Sequence, residues 1–183
     1  MTKLLRALTI FVVAGFLASC ASKPLPPPQY TYGRGGITFH LKADPQLNLY
    51  HGSSHTLLIC VYQLRDPNGF NQLSGDEDGL YKLLECAPFD GSVTYVKRLI
   101  VQPSQDIFFT LDRAEGTKYV GFVAGYSHVV KDKILRLFKI PVVVEKKGLI
   151  RRSKIQKPGS LNLEIVLGPR SITKVNEAAA KKK

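Results

Sequence analysis

Apolar and polar positions alternate strictly where the main body of the chain begins. Ile37, Phe39, Leu41 and Ala43 fall on one side, and Thr38, His40 and Lys42 on the other, the period of a half-buried strand. Asp44 to His55 breaks that period with Pro45, Asn48, Gly52, Ser53 and Ser54. This is long for a hairpin connection, and long ordered loops tend to carry function. Leu57 to Leu64 is apolar on both faces apart from Gln63, as a central strand is, and Tyr62 can bury its ring there while its hydroxyl finds a partner. Arg65 to Gly69 is dense in turn residues. Phe70 to Leu84 is the one helical candidate, interrupted by Gly75 and Gly79, with Leu80, Leu83 and Leu84 on one face.

After Pro88 the strand pattern returns. Strands are predicted over Val93 to Val101, Ile107 to Leu111, Tyr119 to Tyr126, Ile134 to Val144 and Leu161 to Leu167. Gly121 and Gly125 leave room on one face of the Tyr119 strand for a neighbouring backbone or a large ring. Pro141 marks its own run as an edge strand or a bulge. Lys146 to Pro158 is basic and reads as an exposed excursion, and Pro169 opens a Lys/Ala-rich, mobile tail to Lys183. Seven to eight short strands and one helical insert predict an all-β sandwich over residues 37–168, with a basic tail over 169–183.

Ahead of the domain lie two segments of different character. Lys3 and Arg6 precede the uncharged apolar run Leu8 to Leu17, and small residues come after it. That order is a secretory signal, and the run is shorter than the roughly 20 residues of a spanning helix. Leu17-Ala18-Ser19-Cys20 resembles the bacterial lipobox, which implies that residues 1–19 are removed and that Cys20 carries covalent lipid. The plainer alternative is an ordinary signal peptide with an incidental Cys20. Residues 20–36 form a tether: Pro24, Pro26, Pro27 and Pro28 favour polyproline II, and Gly33, Gly35 and Gly36 loosen its far end. Fully extended, this segment reaches roughly 50 Å.

Charge sharpens the picture because it is uneven. Of the net +12, almost none arises from Ala21 to Val130, with nine Lys/Arg against ten Asp/Glu, whereas Lys131 to Lys183 holds fifteen against four. Basic surplus suits nucleic acid, anionic lipid or an acidic protein surface. Export argues against nucleic acid, and no nucleic-acid motif is present. A solubilising basic face explains the surplus without any partner. With Cys20 set aside, Cys60 and Cys86 remain. An even count in an exported chain suits a disulfide, and two buried free thiols are the alternative.

Candidate chemistry is sparse. His51-Gly52-Ser53-Ser54-His55 gathers two imidazoles and two hydroxyls, but it lacks a third metal ligand of known position and a nucleophile elbow. Asp76, Glu77 and Asp78 match no calcium loop and suit the acidic start of a helix. His40 and His128 stand alone. No catalytic residues, no metal and no cofactor beyond a lipid on Cys20 are expected. A hydrolase using His51 and His55 is the weaker alternative, and a module that binds cell wall or a small ligand is another.

The run Leu57-Leu-Ile-Cys-Val-Tyr-Gln-Leu-Arg-Asp66 resembles the signature strand of the TssJ (SciN, VasD) lipoproteins of type VI secretion. The resemblance continues in order through Leu47-Asn48, Phe70-Asn71, Val101-Gln102-Pro103-Ser104-Gln105, Tyr119-Val120-Gly121 and Ala124-Gly125-Tyr126. Ser104 stands where the family commonly has Gly. The resemblance implies a transthyretin-like β-sandwich with a short helical insert, lipid-anchored on the periplasmic face of the outer membrane. It implies a membrane complex with TssM and TssL, in which the loop between the first two strands meets the periplasmic C-terminal domain of TssM. Here that loop supplies Asp44, Pro45, Leu47, Asn48, Leu49, Tyr50, His51, Ser53 and His55. Leu47, Leu49 and Tyr50 are the expected anchors; the alternative is that both leucines pack under the loop. Outer-membrane sorting is read from Ala21 and Ser22, where Asp would favour inner-membrane retention.

Overall fold

The computed structural model describes residues 24–148 and 153–178. The first sheet has the order β10-β9-β1-β4, built from Gly33–Ala43 (β1), Asp106–Arg113 (β4), Leu161–Leu167 (β9) and Ile172–Ala178 (β10). The second has the order β3-β2-β5-β6, from Leu57–Leu64 (β2), Val93–Val101 (β3), Tyr119–Gly125 (β5) and Leu135–Lys139 (β6). The β1–β9 pair is parallel and the other ladders are antiparallel. These eight strands are the sandwich. A separate two-stranded ribbon pairs Val142–Lys147 (β7) with Ser153–Pro158 (β8).

The alternation of β1 decides how the sheets meet. Ile37, Phe39 and Leu41 are fully buried and join Leu161, Leu163 and Ile165 of β9 against Ile59, Val61 and Phe122. Phe39 stacks on Phe109 at 5.0 Å and lies 6.0 Å from Phe122. β2 is buried on both faces because its second face is covered by Asn68–Leu73 (α1) and Glu77–Leu84 (α2). The Tyr62 hydroxyl donates to Leu83 O at 2.6 Å, and burial pushes its pKa up to about 12. Gln63 is fully buried and fully used: its Nε2 donates to Asp112 O, and its Oε1 accepts from Ala114 N and the Thr117 hydroxyl. A Cβ on Gly121 would sit 2.4 Å from the Phe70 ring, so the bare backbone there is what lets α1 lie down on the sheet.

Cys60 of β2 is disulfide-bonded to Cys86, just past α2, with Cα atoms 5.1 Å apart. Closing that loop stabilises the fold by about 3.5 kcal/mol in the chain-entropy account. The helical candidate Phe70 to Leu84 is two helices. The break falls at Gly75 and Asp76, where the Asp76 carboxylate caps α2 by accepting from Gly79 N at 2.7 Å. Glu77 and Asp78 occupy the first turn of α2, where carboxylates favour the positive end of the helix.

Four boundaries differ from those the sequence suggests. β1 begins at Gly33, inside the expected tether, because an irregular register around Gly35 still leaves Gly33 paired to Arg113. Pro141 divides one expected strand into β6 and β7. The basic excursion is the β7–β8 ribbon. Half of the expected mobile tail is β10: Ile172 is buried, Val175 packs on the core, and the segment ladders onto β9. Its polar neighbours Lys174, Asn176 and Glu177 face water and hide the strand in the sequence. Residues 179–183 lie outside the described residues.

Candidate functional site

The loop between β1 and β2 is held at one end of the sandwich by three neighbouring turns. Its backbone joins the β9–β10 turn through Asp44 N to Leu167 O at 2.8 Å and Leu49 N to Pro169 O at 2.7 Å. It meets the β3–β4 turn through Ser104 N to Asp44 O at 3.3 Å. Ser104 has φ 62°, the left-handed value that explains why Gly suits that position. The third link is Asn48, 7% exposed, whose Oδ1 accepts from Ser127 N at 2.9 Å and from the Ser127 hydroxyl at 3.0 Å. Its Nδ2 donates to Thr56 O at 3.0 Å. With φ 48°, Asn48 occupies a conformation that Asn tolerates better than most residues.

On this base stands a short hairpin. Tyr50 and Ser53 exchange backbone hydrogen bonds at 2.9 and 3.0 Å. His51 and Gly52 between them have φ 47° and 78°, the two positive values of a type I′ turn. The Tyr50 ring is 44% exposed. It has His51 at 4.1 Å, His55 at 6.3 Å and His128 at 6.4 Å, each edge-on. The sequence holds no hint that His128, far along the chain from the others, joins them. The Asn48–Ser127 hydrogen bonds and the Tyr126 hydroxyl, which donates to Ser171 O at 2.8 Å, bring it there.

Not all expected contact residues face outward. Leu47 is fully buried in the main core and Asn48 is turned inward, so neither presents its side chain to solvent. For Leu47 the reading that packs it under the loop holds, because its side chain continues the apolar face of β1. Leu49 and Asp44 are half-buried; Asp44 accepts from Gln46 N at 2.7 Å, an Asx turn that starts the loop. Pro45, Tyr50, His51, Ser53 and His55 are exposed. Cys20 lies outside the described residues.

The arrangement suits binding better than chemistry. One exposed tyrosine ringed by imidazoles offers a flat amphipathic surface with hydrogen-bonding edges on a stiff turn. The cleft beside it, lined by Asn48, Leu49, Tyr126, Ser127, His128, Pro169 and Arg170, holds about 150 Å³ including its open mouth. Small-molecule sites occupy roughly 300–1,000 Å³. Among the described residues no three His, Cys, Asp or Glu side chains gather as a metal site, and no helix is long and apolar enough to cross a membrane. His40 bonds Asp106 at 2.6 Å on the outer face of the first sheet.

The family model for type VI secretion lipoproteins (VasD, EvfM, TssJ, VC_A0113) matches residues 36–156. Among solved structures, the type VI secretion lipoprotein TssJ1 from Pseudomonas aeruginosa is similar, with a TM-score of 0.58 and 21% identity over 84% of this chain and 99% of that one. Serratia marcescens Lip, described as a membrane-bound component of the type VI secretion system, has a TM-score of 0.53 and 15% identity, covering 78% of this chain and 96% of that one. A structure described as the TssM C-terminal domain from EAEC contains a chain with a TM-score of 0.50 and 15% identity, again covering 78% and 96%. No curated sequence matches significantly. At these identities the structural likenesses establish the sandwich, while the family model spans well over half of the sequence, and the chain therefore belongs to the type VI secretion lipoprotein family.

Proposed function

We propose that this protein is an outer-membrane-anchored periplasmic lipoprotein that binds the periplasmic C-terminal domain of TssM and so ties a membrane complex containing TssM and TssL to the envelope. Residues 1–19 serve as the signal, Cys20 carries the lipid, and the exposed hairpin around Tyr50 contacts the partner. Its family is a structural component of the secretion system rather than an enzyme class. The observation that carries the reading is the exposed Tyr50 cluster on a rigid hairpin, at the opposite end of β1 from the tether. Aromatic residues on stiff supports lose little entropy on binding and make interface hot spots.

The test is co-purification with the TssM periplasmic domain. A variant with Tyr50 to Ser53 replaced by a Gly/Ser turn should lose the partner while Leu47 and Asn48 keep the fold. Retention of full binding would remove the hairpin from the interface. Separately, Cys20→Ser should move the protein out of the outer-membrane fraction, and an unchanged distribution would argue against lipid anchoring.

A further inference from the structure

The β7–β8 ribbon takes no part in either sheet of the sandwich, and its position is defined by its base. β6 runs toward the end where the tether joins the fold, and Ile140 N donates to Lys118 O at 2.8 Å there. β8 returns to Gly159, whose N–H donates to Pro141 O at 2.7 Å. The buried Arg113 guanidinium binds Gly159 O at 3.2 Å through Nη1 and Thr31 O at 3.1 Å through Nη2. One side chain thus clamps the base of the ribbon to the last residues of the tether. Tyr30, one residue earlier, is fixed by its carbonyl to Gly116 N at 2.6 Å.

The register gives the ribbon two different faces. Glu145 pairs with Lys157 at 2.6 Å on one of them. On the other, Lys146 lies directly opposite Lys154. Both are exposed, and neither makes an ion pair among the described residues. Like charges directly across a ladder are destabilising, and among the described residues no carboxylate offsets this pair. Val142 and Val144, 40% and 56% exposed, alternate onto the same face.

We infer that this face of the β7–β8 ribbon is a second membrane contact, in which Lys146 and Lys154 bind the phosphates of anionic phospholipid headgroups while Val142 and Val144 rest on the interface. The inference builds on the lipid anchor proposed at Cys20. The stretch from Cys20 to the fixed Tyr30 reaches about 31 Å in polyproline II. The six-residue strand β7 is itself about 20 Å long, so the ribbon and the anchor can reach one bilayer together. A lipid chain joined to a basic patch holds a membrane more durably than either element alone.

The experiment compares partition of the full lipidated chain onto phosphatidylcholine vesicles and onto vesicles that also contain phosphatidylglycerol. The anchor acts on both compositions; the lysines act only on the second. A lysine near an anionic surface is worth on the order of fivefold. Lys146→Gln with Lys154→Gln should therefore lower the phosphatidylglycerol preference roughly 25-fold, leave phosphatidylcholine binding unchanged, and remove much of the salt dependence. Lys174→Gln, on β10, should leave the preference intact. Failure of the anchor reading would show separately, as a Cys20→Ser chain that binds phosphatidylcholine vesicles as well as the wild type does. The inference is overturned if the double variant matches the wild type on anionic vesicles. It is equally overturned if Lys174→Gln lowers the preference as much, or if the two lysines instead govern binding to isolated cell wall.

Discussion

At one end of the sandwich the turns are locked to one another, and at the other a narrow ribbon leaves the sheets. The Tyr50 end is closed by backbone bonds among the β1–β2, β3–β4 and β9–β10 turns and by the Asn48 side chain, and it presents aromatic and imidazole rings. The tether end is joined through Arg113 and presents lysines and valines that face outward. The difference separates two kinds of recognition. A locked turn can hold a few rings in one geometry, as a protein interface needs. The membrane contact inferred for the ribbon needs no fixed geometry, because a bilayer surface is diffuse.

The largest effect is expected at the foundation of the locked end. Leu47→Ala leaves a cavity in the main core and should destabilise the fold by roughly 2–5 kcal/mol in denaturant unfolding. A change below about 0.5 kcal/mol would mean that the loop is not built on the core. Asn48→Gly comes next. Glycine tolerates the same φ, so the loss isolates the side-chain hydrogen bonds to Ser127 and Thr56, at about 1–3 kcal/mol. It should also raise hydrogen exchange in the 44–56 loop while β1 stays protected. Uniform protection would contradict the locking role of Asn48.

The smallest effect belongs to the tether end. The Tyr32 hydroxyl, and then the Gly35 amide, hold the Asp112 carboxyl below its ordinary value. A depressed folded value gives stability that is present above the unfolded pKa of about 3.9 and is lost as the pH falls through the lower folded value. The melting temperature of the wild type should therefore exceed that of Asp112→Asn at neutral pH by the small margin of a surface interaction, and the two should converge as the pH falls through the lower folded value. A gap that does not change with pH would show that Asp112 does not fasten the tether.

Much of the sandwich is legible in the sequence because it rests on local periods. The alternation from Ile37 to Ala43, the two-sided burial of Leu57 to Leu64 and the space left by Gly121 all become packing contacts. The β10 strand is not legible, since only Ile172 and Val175 supply sizeable apolar side chains and their pairing with β9 is tertiary. The site is legible in part. A long loop with Tyr50 and two histidines stands out, but whether Leu47 faces water or core depends on where β1 hands the chain to the loop. His128 and Arg113 act through contacts far apart in sequence, and neither spacing nor composition points to them.

The most direct test of a Tyr50-centred partner surface is the affinity of this protein for the TssM periplasmic domain, measured by calorimetry for the wild type and for Tyr50→Ala. The ring is exposed, so unfolding stability should change by less than about 0.5 kcal/mol. Binding should weaken by about 30-fold or more, the mark of a hot spot of at least ~2 kcal/mol. An unchanged Kd in a fully folded Tyr50→Ala protein would contradict the account.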